Sequence, residues 1–133
     1  MTDEVNGISF TNKVFITTLR ALEQGIPLII HQGGTFSGKT FNILLAFLYF
    51  FNNHKTENWR LSIIGSSFPS LRRGAWKDFN TIISKIPSYI THKQDGIFTY
   101  RVGGNTIEFF SASDNKDAIE KVTQGKREYA LLD

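Results

Sequence analysis

The sequence predicts an α/β fold: a three-layer α/β/α sandwich of the P-loop NTPase kind, with a mainly parallel sheet and a β-hairpin insertion. Three observations predict it. Short β-rich runs alternate with helical patterns along the 133 residues, an arrangement that puts parallel strands between helices. Residues 33–40 read Gly33-Gly34-Thr35-Phe36-Ser37-Gly38-Lys39-Thr40, a full G-x-x-x-x-G-K-[ST] pattern, whose place is between a buried strand and a helix. Two β-rich runs, residues 97–102 and 106–110, flank Gly103-Gly104-Asn105, the spacing of a hairpin.

Taken in order, residues 12–24 predict an amphipathic helix: Phe15, Leu19 and Leu22 share one face, and Gly25 with Pro27 ends it. Pro27-Leu28-Ile29-Ile30-His31-Gln32 is the short apolar run expected of a strand feeding the glycine-rich segment. Residues 41–51 are apolar nearly all round, the composition of a helix buried on most sides. That run is shorter than the roughly 18 residues a membrane-spanning helix needs, which excludes a membrane role for it. It fades in Asn52-Asn53-His54-Lys55, and residues 60–66 predict a second strand. Pro69 suits the first turn of a helix. Leu71, Ala75, Phe79, Ile82, Ile83 and Ile86 then hold one helical period up to Pro87. After the hairpin, the polar residues 111–125 predict a loop with a short helix near Ala118, and residues 128–133 a last strand. No repeat, low-complexity stretch or linker interrupts the chain. It divides into an N-terminal segment and helix (residues 1–25) and a nucleotide-binding core (residues 26–133).

The chemistry of residues 33–40 follows from their types. Gly33, Gly34 and Gly38 let the main chain turn tightly and bring N–H groups close to an anion without an intervening Cβ. Thr35, Phe36 and Ser37 complete the loop. Lys39 is placed to reach the β- and γ-phosphates, which makes it the candidate catalytic residue, and the Thr40 hydroxyl to ligate Mg²⁺. Tyr129-Ala130-Leu131-Leu132-Asp133 fits the second half of such a site, a buried strand with an aspartate at its carboxyl edge that holds the metal through water. ATP and Mg²⁺ are the implied ligands.

Composition narrows the alternatives. Without cysteine there is no disulfide framework and no thiolate metal site, as suits a reducing cytoplasm. His31, His54 and His92 lack metal-ligand spacing and read as structural. The polar start Met1-Thr2-Asp3-Glu4 has no signal-peptide pattern. A net charge of +3 and a pI near 9.3 are compatible with a polyanionic partner without requiring one. The exposed-type cations Arg72, Arg73 and Lys77 are the candidate DNA or subunit contacts, Arg73 and Lys77 lying on one face of the predicted helix. Lys126 and Arg127 read as part of a loop leading into the last strand.

The ordered set of motifs resembles the large terminase subunit of tailed bacteriophages, a DNA-packaging ATPase. The likeness rests on residues 31–40 as its phosphate loop, on Ser70-Leu71-Arg72-Arg73-Gly74 after the second strand, on residues 104–112 as its glycine-led apolar strand, and on residues 125–133 as the approach to its metal aspartate. The resemblance implies a homo-oligomeric ring in the bacterial host cytoplasm. It would work with a portal protein and a small terminase subunit, move double-stranded DNA into a procapsid, and touch DNA through phosphates. Two departures stand out. Thr35 and Phe36 occupy the stretch where many terminases carry a loop arginine, and the family's catalytic glutamate, coupling motif and nuclease domain are absent from these residues.

With Asp133 as the last residue, the chain is expected to be the first part of an ATPase domain that binds nucleotide weakly and does not hydrolyse it alone. It is also expected to lack a strand that the family inserts between the loop strand and the metal-aspartate strand. Two other readings stay open: a small-molecule P-loop kinase, with the arginine pair after Pro69 as part of a substrate lid, and a helicase or other nucleic-acid-dependent ATPase.

Overall fold

The computed structural model describes residues 4–5, 8–25, 38–87, 92–94, 99–111 and 129–132. It begins with a small antiparallel pair, β1 (Glu4–Val5) and β2 (Ile8–Ser9), ahead of helix α1 (Lys13–Glu23). Asn12 starts that helix because its side-chain oxygen accepts a hydrogen bond from Val14 N at 2.9 Å, satisfying an N–H that has no partner inside the helix. Phe15, Thr18, Ala21 and Leu22 form the buried stripe, and Gly25 follows at φ +70, a left-handed stop that glycine adopts without strain.

Helix α2 (Lys39–Asn53) buries Asn42, the 44–48 run, Phe50 and Phe51, as an apolar helix must when it is enclosed by other layers. One side packs on α1, where Phe15 meets Tyr49 edge-on at 5.8 Å. Another meets the sheet, where Phe47 and Phe51 lie 5.5 and 5.9 Å from Tyr129.

The remaining elements are β3 (Arg60–Gly65), α3 (Phe68–Arg73), α4 (Ala75–Lys85), β4 (His92–Gln94), β5 (Thr99–Val102), β6 (Asn105–Ser111) and β7 (Tyr129–Leu132). They form a five-stranded sheet in the order β4-β5-β6-β3-β7. Strands β6, β3 and β7 are parallel, with Leu61 opposite Ile107 and Tyr129, and Ile63 opposite Phe109 and Leu131. Strands β4 and β5 extend the sheet antiparallel. Because opposite residues in a ladder share a face, Leu61, Ile63, Ile107, Phe109, Tyr100 and Val102 line one side, all at most 2% exposed. Helix α4 lies on that side, with Phe79 at 4.7 Å from Tyr100 and 5.4 Å from Phe109.

The α/β class, α1, the apolar helix, the second strand, the hairpin and the last strand all match the sequence reading. Three points differ. The hairpin is not a separate insertion, because its second arm β6 is the strand paired directly to β3. The helix expected over 69–86 is two helices. Ser67 accepts from Ser70 N to start α3, and Gly74, at φ −110 and ψ −107, closes α3 and opens α4. Residues on both helices turn inward, so the apolar period runs through a break in the backbone. Strands β1, β2 and β4 were not anticipated; they are too short to show a period. The predicted strand at 27–32, the loop with its helix near Ala118, and Asp133 lie outside the described residues.

Candidate nucleotide-binding site

The strand ends and the carboxyl end of α2 define the two edges of the parallel part of the sheet. Strands β3 and β7 finish level, Ile64 opposite Leu132, and β6 finishes with Ser111 opposite Gly65. The carboxyl end of α2 is tied to the opposite edge. There Asn105, first residue of β6, donates from Nδ2 to Phe51 O at 2.9 Å and to His54 O at 2.8 Å, and accepts from Trp59 N at 2.8 Å. With its carboxyl end held where β6 begins, α2 has its first turn at the end away from that edge, and in α/β proteins ligands bind at the opposite, carboxyl edge of the strands.

That first turn has three properties suited to an anion. Gly38 precedes it at φ 78, ψ 13, in the left-handed region, and is followed directly by Lys39 and Thr40 as the opening helical residues. Its N-cap, Gly38, has no side chain to bond the leading turn, and that turn holds no acidic residue, a composition that suits an anionic ligand. Asn12 and Ser67 cap α1 and α3, while α4, like α2, begins at a glycine. Finally, the Gly38 carbonyl is held from inside the helix: it accepts from Asn42 N at 3.1 Å and from Asn42 Nδ2 at 2.8 Å. Lys39 and Thr40 are half-buried. A phosphate group fits this donor set, and Thr40 would supply an oxygen to a metal beside it.

Of the sequence-predicted site, Gly38, Lys39 and Thr40 are brought together, while Gly33, Gly34, Thr35, Phe36, Ser37 and Asp133 lie outside the described residues. Arg72 and Arg73 are exposed and Lys77 lies among the exposed positions of α4. The expectation that Arg73 and Lys77 share a helix face is corrected: they stand on α3 and α4, either side of Gly74. Arg72 and Arg73 occupy the last turn of α3, where cations oppose the helix dipole, and Arg73 Nε donates to Pro69 O at 3.3 Å. Among the described residues no group of three or more His, Cys, Asp or Glu gathers to hold a metal, and no helix is long and apolar enough to cross a membrane. His54 packs in an aromatic group with Phe50 at 4.8 Å and Trp59 at 5.4 Å.

Two residues were missed. Asn105 reads in sequence as a turn residue after two glycines, and Asn42 as a polar exception in an apolar helix. The exception was the available signal, since a buried amide four residues after a glycine can bond back to its carbonyl.

No family model and no curated protein matches the chain. Solved structures of the large terminase from a thermophilic bacteriophage do. One crystal form aligns with a TM-score of 0.66 at 15% identity, covering 91% of this chain and 31% of that one. A complex of that terminase with ADP aligns at 0.61 and 17%, covering 91% and 31%. A further structure aligns at 0.55 and 16%, covering 91% and 37%. The chain thus spans about a third of the length of the proteins it resembles. Over that span it shares the fold of that large terminase.

Proposed function

We propose that the chain is the ATP-binding part of a terminase-type DNA-packaging motor, in which Mg²⁺-dependent ATP hydrolysis drives double-stranded DNA into a procapsid. The observation that carries this reading is the glycine-led start of α2. A left-handed Gly38 leads into Lys39 and Thr40, at the end of the helix away from its Asn105-bonded carboxyl end, in a fold shared with a large terminase. In this reading residues 33–40 wrap the phosphates, Lys39 neutralises charge on the β- and γ-phosphates, and Thr40 and Asp133 serve the metal. Bound metal would screen the phosphate charge; the chain's own part is to hold the triphosphate in place by backbone N–H groups and one ammonium. Arg72, Arg73 and Lys77 offer cations to a phosphate backbone or to a neighbouring subunit. A ring of copies working with a portal protein and a small terminase subunit in the host cytoplasm completes the proposal.

Equilibrium titration of the purified chain with ATP and ADP in the presence of Mg²⁺ tests it. Binding is expected, weakened about ten- to a hundredfold in Lys39→Ala, the loss of a charge-assisted contact. An unchanged affinity in that variant, or no binding by the parent chain, rejects the assignment.

A further inference from the structure

We infer that Asn42 is a positioning residue for the nucleotide: its side-chain amide locks the Gly38–Lys39 peptide so that the Lys39 N–H faces the phosphates. The inference rests on the nucleotide-binding reading above and adds a residue to it. Asn42 is polar in a helix that is otherwise apolar on its buried faces, yet it is only 9% exposed. Its Nδ2 donates to Gly38 O at 2.8 Å, alongside the ordinary helical bond from its own backbone N at 3.1 Å. One carbonyl therefore accepts two hydrogen bonds.

The peptide concerned is the one most free to turn. Gly38 stands at φ 78, and glycine crosses between backbone basins at little cost. The Lys39 N–H belongs to the same planar unit as the Gly38 carbonyl. If the carbonyl leaves the helix axis, that N–H turns away from the anion. A single helical bond in a first turn frays readily, and the N-cap of α2 is a glycine, with no side chain to resist it. A capping side chain would occupy the N–H groups a ligand needs. Asn42 stabilises the turn from its carbonyl side and does not draw on those donors. The same Nδ2 lies 3.4 Å from where a Cβ on Gly38 would stand, so the amide also packs against the glycine whose shape it maintains.

An isosteric pair provides the test. Threonine in a helix can donate from its hydroxyl to the carbonyl four residues back; valine has the same shape and no donor. We would compare Asn42→Thr with Asn42→Val by titration with ATP and with ADP, each with Mg²⁺, alongside thermal unfolding of both variants. The expected result is about tenfold weaker binding for Val than for Thr, the scale of one hydrogen bond, with the two unfolding midpoints close together. Equal affinities in the pair overturn the inference while leaving the nucleotide reading intact, provided Lys39→Ala still weakens binding. A parent chain that binds neither nucleotide overturns both. Should Val fail to fold, Asn42→Ser against Asn42→Ala repeats the comparison with smaller side chains and is read the same way.

Discussion

The two ends of α2 are finished in opposite ways. At its carboxyl end the hydrogen-bonding needs are met from far away in sequence. The Asn105 side chain serves Phe51 O, His54 O and Trp59 N, Gly104 N donates to Lys55 O at 2.8 Å, and Phe50 stacks on Trp59 at 5.2 Å. At its amino end the N-cap is a glycine with no side chain to bond the leading turn, and the reinforcement of Gly38 by Asn42 comes from four residues away. The lesson is a division of labour along one helix. Long-range bonds from Asn105 fix the carboxyl end, and in the proposed function the glycine-led amino end meets the ligand, held in shape by the contact from Asn42 to the Gly38 carbonyl.

The comparison breaks most directly at Asn105. This residue is fully buried, and Asn105→Ala removes three hydrogen bonds at once: Trp59 N loses the Asn105 acceptor, while Phe51 O and His54 O are left with the backbone bonds from His54 N and Glu57 N. A loss of about 3 kcal/mol is expected, read by urea unfolding. Nucleotide affinity of the folded fraction should stay unchanged; a parallel loss of affinity would mean that the two ends are not independent.

A second test moves toward the site edge. A Cβ on Gly65 would lie 2.5 Å from Leu71 Cγ, so the end of β3 and the start of the α3–α4 pair meet without room for a methyl group. Gly65→Ala should cost about 2 kcal/mol through overpacking. Leu71→Ala in the same chain should recover part of it, and a double-mutant cycle with no coupling would show that the contact does not matter.

The smallest change sharpens the amino end. Gly38→Ala places an L side chain in the left-handed region, at a cost of about 1 kcal/mol. If the glycine-led end is the site, this variant should weaken nucleotide binding by more than its modest shift in unfolding midpoint accounts for. An effect confined to stability would argue that Gly38 only terminates the loop.

Much of this was legible in the residues. The apolar period of α1, the all-round apolar α2, and the Gly103-Gly104 turn between two β-rich runs each announce themselves, because period and turn chemistry are local properties. The break at Gly74 was hidden. Leu71 on α3 and Ala75 and Phe79 on α4 all turn to the interior, so the hydrophobic spacing of a single helix survives a change of direction. The partnership of β6 with β3 was hidden too, since a hairpin and an insertion have the same sequence signature until the second strand finds its neighbour.

What the chain encodes by itself is the phosphate-loop pattern, the periods of α1 and α2, the Gly103-Gly104 turn and the glycine at position 38, each settled by steric and periodic rules acting over a few residues. Only the folded arrangement decided that Asn105 would bind a helix end more than fifty residues earlier in the chain, and that Gly65 would touch Leu71. It also decided that the carboxyl end of α2 would sit at the edge where β6 begins. Those choices depend on closing long loops around a shared core, and no local propensity records them.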